Sequence, residues 1–153
     1  MTLLHRLIGT DHRLTPLILR LSLGLVIFPH GAQKLFGWFG GYGYAATVGA
    51  FETMFGLPPA VATLVILAEF FGGLALILGV ASRLAAIGVA AVMVGAVIQV
   101  HGQHGFFMNW LGTQQGEGFE YHLLAIGLAA AVAVLGSGAF SIDRMIAVRA
   151  IHQ

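Results

Sequence analysis

The chain has 153 residues, of which 58% are hydrophobic and only 8% charged, with a formal net charge of +1. Together with a mean hydropathy of +0.91, this composition excludes an ordinary soluble domain and reads as a membrane protein. The length holds one domain of four spans at about 20 residues each plus connections, and leaves no room for a large soluble domain.

The first predicted span covers residues 16–36. Arg20 interrupts its apolar run and no small-residue cleavage site follows, so it is read as a retained helix rather than a signal peptide. Its outer end carries the stretch FPHGAQKLFGWFGG, residues 28–41, which inserts His30, Gln33 and Lys34 where a buried helix would continue with leucines. At about 100° per residue, Arg20, Gly24, Ile27, Gly31 and Lys34 form one stripe with His30 beside it, provided the helix continues through Pro29. Small residues permit close helix approach and charge avoids lipid, so this stripe is expected to face other helices.

The connection over residues 37–58 is rich in glycine and aromatics, and Trp38, Tyr42 and Tyr44 suit a headgroup belt. The second span, residues 59–78, carries Glu69 near its middle. A carboxylate there is costly and must be protonated, paired or beside water. Arg20, Lys34 and His30 are its candidate partners, and a purely structural ion pair that fixes helix register is the competing reading.

GVASR, residues 79–83, reads as a tight turn into the third span, residues 84–100. The next connection, residues 101–118, contains His101, His104 and Trp110. Glu120, Tyr121 and His122 open the fourth span, residues 119–136. In a regular helix Glu120 shares a face with Leu124, Gly127 and Ala131, while His122 points nearly opposite. Loose spacing of these His and Glu residues lacks metal-ligand geometry, and contact with water or headgroups is the plainer expectation.

None of the segments alternates with period two, so four helices are expected rather than a barrel. Arg6, Arg13, Arg83, Arg144 and Arg149 fall on one side of a four-span chain, with Arg20 near it and Lys34 alone opposite. Both termini are therefore expected in the cytoplasm, in an all-α, integral membrane four-helix bundle forming a single domain over residues 1–153.

Ionisable groups beside aromatics such as Phe28, Phe70, Phe106 and Phe107 can bind a flat, partly polar, lipid-soluble molecule and exchange protons with it. Glu69 and His30 are the candidate catalytic residues. Arg20, Lys34, His101, Glu120, Phe70 and Phe107 are the candidate substrate-binding residues. A quinone fits that chemistry, as do a small hydrophobic solute and a proton path. No GxGxxG or phosphate loop is present, and the scattered basic residues give no nucleic-acid surface.

Arg20 and Gly24 (R-x3-G), His30 to Leu35 (HG-x2-KL), Glu69 to Gly73 (E-x2-GG), Gly79 to Arg83 (G-x3-R), GFF at 105–107 and LGSGAFSIDRMI at 135–146 together resemble the DoxX family over nearly the whole chain. Ser137 stands where that family is expected often to have proline. The resemblance implies a small four-helix protein of the bacterial or archaeal plasma membrane. It also implies relation to the membrane subunit of thiosulfate:quinone oxidoreductase, and hence a quinone cofactor. With no cysteine, a route like that of vitamin K epoxide reductase is excluded, so electrons would come from a membrane or soluble partner protein or from a cofactor that leaves no motif. The alternatives are a noncatalytic module that assembles with partners or itself through Gly/Ala faces, and a conduit for protons or a small solute.

Overall fold

The structure, a computed structural model, describes residue 10 and residues 12–151; Arg6 lies outside the described residues. Helix α1 is Leu14–Phe36, α2 Tyr44–Phe55, α3 Pro59–Leu78, α4 Ser82–Gln99, α5 Glu120–Leu135 and α6 Ile142–Ile151, with short 3-10 turns at Trp38–Gly40 and His101–His104. All regular structure among the described residues is helical.

Helix α1 runs unbroken through Pro29, and its buried residues include Arg20, Gly24, Ile27 and Gly31, so the charged and small stripe does face inward. Close approach requires those glycines. A Cβ on Gly31 would sit 2.3 Å from the backbone nitrogen of Phe70, and one on Gly73 would sit 2.7 Å from the Cα of Phe28. Helices α1 and α3 therefore cross nearly backbone to backbone. Contacts of α3 with α4, α4 with α5 and α5 with α1 close a ring around Leu23, Ile27, Leu76, Val89, Met93, Ala129 and Val132.

Helices α1, α3 and α4 are long and apolar enough to cross a membrane, and α5 is a shorter apolar helix. Large apolar side chains such as Leu25, Leu64, Phe71, Ile98, Leu124 and Val134 point outward, the pattern of a surface that meets hydrocarbon rather than water. The chain is a multi-pass membrane protein with lipid against these helices.

Two helices lie outside the four expected spans. Helix α2 occupies part of the connection over residues 37–58, bounded by Gly43 at φ 78° and Gly56 at φ 65°, with its Tyr44 hydroxyl 2.7 Å from Thr63 Oγ1 on α3. Helix α6 follows Ser141, whose Oγ accepts the Arg144 N–H at 3.2 Å and caps its first turn.

At one end of the ring, Arg20 is 1% exposed and donates five hydrogen bonds to carbonyls. Nε reaches Ser137 at 2.8 Å, Nη1 reaches Leu76 at 2.8 Å and Ile77 at 2.6 Å, and Nη2 reaches Ala139 at 3.2 Å and Phe140 at 2.8 Å. Two of these carbonyls belong to the last turn of α3, where backbone donors run out: Leu76 also accepts the Gly79 N–H at 3.3 Å, and Arg20 supplies the further donors. The Asp143 carboxylate accepts the Ala81 and Ser82 N–H groups at 2.8 and 3.2 Å, and so caps α4. Ser137 donates to Asp143 and lies 2.8 Å from Ser82 Oγ. The serine at this position thereby joins the chain after α5 to both neighbouring helices.

Candidate functional site

The opposite end of the ring is hollow. A cavity of about 790 Å³ lies among the later turns of α1 and α4, the early turns of α3 and α5, and α2. Its wall is mostly apolar, with Ile27, Val65, Val92 and Met93 below and Phe51 and Phe55 of α2 above. The Gln99 side chain donates to the Phe55 carbonyl at 3.0 Å, so both ends of α2 are tied over the cavity.

Lys34 and Glu69 meet inside it as an ion pair. Helix α1 brings Lys34 there because the helix survives Pro29, and the Gly31 crossing presses this part of α1 onto Glu69. Of the three expected partners of Glu69, Lys34 is the one whose side chain holds it. Glu69 is nearly buried, at 6% of its side chain, whereas Lys34 keeps 26% open, as a long side chain reaching toward water does.

A row of rings forms the rest of the polar wall. His30 and Tyr121 have centroids 6.3 Å apart, Tyr121 and His122 5.2 Å, and His122 and His101 4.1 Å. His101 Nδ1 donates to the Glu117 carbonyl at 2.8 Å. The Tyr121 hydroxyl and His122 Nδ1 are buried with no hydrogen-bond partner. Such orphans are costly unless something supplies the missing bond. An apolar chamber with a buried ion pair and unpartnered polar atoms can hold a lipid-soluble ring and move a proton to or from it.

Of the expected site residues, His30, Lys34, Glu69 and His101 line this cavity. Four others do not. Arg20 sits fourteen residues, about 21 Å, along α1 from Lys34, committed to carbonyls at the far end. Glu120 points away, because the buried face of α5 is His122, Ala125, Ala129 and Val132. Its carboxylate instead accepts the Met108 N–H at 2.8 Å and the Trp110 indole N–H at 3.4 Å, holding the loop before α5. Phe70 stacks between Phe28 and Phe36, each at 5.2 Å, outside the cavity wall. Phe107 is exposed and lines a separate pocket of about 330 Å³ with Phe106 and His104.

Sequence reasoning missed Tyr121 and His122 because it took Glu120, Leu124, Gly127 and Ala131 as the packed face of α5. The run His122, Ala125, Ala129 carried the correct signal, since its small residues also recur at helical spacing. Among the described residues, no group of three or more His, Cys, Asp or Glu is arranged to hold a metal.

A family model described as DoxX matches residues 15–102, from α1 through α4 and into the turn at His101. Comparison with curated proteins and with solved structures finds no match.

Proposed function

The chain belongs to the DoxX family, and on that premise we propose that it is a quinone-interacting subunit of a membrane oxidoreductase system. Further parts of the reading are that all four apolar helices cross the plasma membrane of a bacterium or archaeon, and that both termini lie in the cytoplasm. The observation that carries the proposal is the apolar cavity of about 790 Å³ with the Lys34–Glu69 pair in its wall. Its volume lies within the usual range for ligand sites and its polar groups are few and convergent.

The residues present fit a quinone. The unpartnered Tyr121 hydroxyl can donate to a ring oxygen, the Lys34 ammonium offers a second donor, and the apolar wall suits a ring and tail. When bound, the quinone supplies two-electron chemistry, with the electrons coming from a partner protein. Glu69 accepts a proton at its carboxylate, Lys34 positions that carboxylate through the ion pair, and His30 and His101 orient the ring. Helix α2 excludes water from above.

The test is native mass spectrometry of the protein extracted gently from its own membrane, with any bound molecule identified by fragmentation. A quinone that is lost in a folded Glu69→Gln variant is the expected result. An empty protein that copurifies with another chain would replace this reading with a noncatalytic assembly module. Proton or solute flux through the purified protein in liposomes, with no redox partner present, would replace it with a conduit.

A further inference from the structure

We infer that the cavity is a two-part site for a tailed, membrane-dissolved ring: the ring lies against Tyr121 and His122, and the tail leaves sideways between α3 and α4, past Gly88 and Gly95, into the lipid. This rests on the quinone reading of the same cavity and adds to it a path for the tail and, beside Tyr121, a second ring-holding residue, His122.

Five glycines of the long helices fall into two physical classes, with Gly72 between them, its added Cβ 3.2 Å from the Val89 side chain. Gly24, Gly31 and Gly73 are required by packing, because an added Cβ would meet another helix at 3.0 Å or less. Gly88 and Gly95 are different: both line the cavity, and a Cβ at either would meet nothing within 4 Å. Glycine weakens a helix interior relative to alanine, and no neighbour among the described residues demands it at these two positions. They lie seven residues apart, two helical turns, on the same face of α4. What their missing side chains provide is room along one straight groove.

That groove reaches the lipid-facing surface. Leu64 of α3 and Ile98 of α4 line the cavity and are also 66% and 76% exposed, more than a residue facing only into an enclosed chamber would be. A cavity bounded by such residues opens toward hydrocarbon, where an acyl or isoprenoid tail is already dissolved and crosses no polar barrier to enter.

The inner end is built for a polar head. His122 is 6% exposed and lines the cavity, yet its Nδ1 has no partner, and neither has the Tyr121 hydroxyl beside it. A ring oxygen accepts from the tyrosine hydroxyl. The imidazole nitrogen donates to a carbonyl or accepts from a ring hydroxyl according to its tautomer. The site therefore takes either redox form of such a ring without rearranging.

The experiment uses the full chain in lipid nanodiscs and two probes, a benzoquinone with a decyl tail and the same ring without a tail. Bound probe is counted by mass spectrometry, with the tailed probe's concentration expressed per mole of lipid. We expect Gly88→Phe and Gly95→Phe to weaken the tailed probe at least ten-fold and leave the tail-less ring unchanged. Gly127→Phe is the control, since a Cβ there also meets nothing within 4 Å but the residue lies outside the cavity; it should behave as wild type. Tyr121→Phe and His122→Phe should weaken both probes alike. If a phenylalanine variant does not fold, Gly88→Val and Gly95→Val must give the same ordering.

If the glycine variants hold the tailed probe as well as wild type does, or if the tail adds nothing to wild-type affinity, the sideways path is wrong and the quinone reading stands. If Tyr121→Phe and His122→Phe bind both probes normally, the ring-holding assignment falls. If wild type binds neither probe, the quinone reading fails and this inference with it.

Discussion

Two basic residues on α1 illustrate how the same side-chain chemistry is put to opposite uses. Arg20 is saturated: its planar fork answers five carbonyls, including the two at the end of α3. Arg20→Ala should cost about 3 kcal/mol or more, because buried carbonyls lose their donors and a cavity opens. Arg20→Lys should recover little, since a compact ammonium cannot reproduce the fork. Thermal unfolding in detergent, followed by helical signal, reads both; full rescue by lysine would show that charge alone matters. Lys34 is not saturated in this way. It holds one carboxylate and keeps a quarter of its side chain open, so the pair is asymmetric. Glu69→Gln leaves a lysine that can still reach water and should cost about 1 kcal/mol. Lys34→Met strands a nearly buried carboxylate and should cost about 3 kcal/mol. The same unfolding measurement checks this order, and equal losses would mean that Lys34 is as dependent on Glu69 as Glu69 is on Lys34.

Helix packing shows which parts of the fold were legible in the sequence. Expected spans at 59–78 and 16–36 match α3 and α1 closely, because Pro59 and the glycines after each helix punctuate them and apolar runs of that length have few alternatives. The inward stripe of α1 was equally legible, since charge and glycine on one face leave lipid only the other. Helix α2 was not, because Tyr44–Phe55 has no charge pattern and its flanking glycines resemble loop composition as much as helix caps. On α5 two faces both carry small residues, so composition alone could not choose between Glu120 and His122; the loop that ties down Glu120 makes the choice. The glycine contacts turn this into a graded prediction. Gly31→Ala should destabilise most, its Cβ meeting Phe70 backbone at 2.3 Å, and Gly24→Ala less, at 3.0 Å. Gly127→Ala should be neutral or slightly stabilising, since its Cβ meets nothing and alanine favours helix. Melting temperatures of the three variants test the series, and a loss at Gly127 as large as at Gly31 would mean that the open face of α5 is packed against another chain.

Across the whole molecule the two ends of the ring differ in kind. One is closed by Arg20, Asp143 and Ser137 and is flanked by Arg13, Arg83, Arg144 and Arg149, while the hollow end has Lys34 already paired to Glu69. Excess Lys and Arg stays in the cytoplasm, so the proposed orientation has the hollow end outside and requires that α5 also crosses. At 16 residues, α5 is about 24 Å long, short of a hydrocarbon core of about 30 Å, so it requires local thinning or help from flanking residues. Both points can be checked together because the chain has no cysteine and each introduced thiol is the sole label site. Gln114→Cys, in the exposed loop before α5, should react in intact cells with a maleimide that cannot pass the membrane. Val148→Cys, exposed on α6, should react only after the membrane is opened. The reverse pattern would invert the orientation and make the cytoplasm the side from which a partner protein reaches the cavity. Labelling of both positions from one side would mean that α5 does not cross, and the closed ring would then have to pack with one member not spanning the bilayer. Only the expected pattern lets four crossing helices enclose the Lys34–Glu69 pair in a cavity on the outer side of the ring while their apolar faces meet lipid.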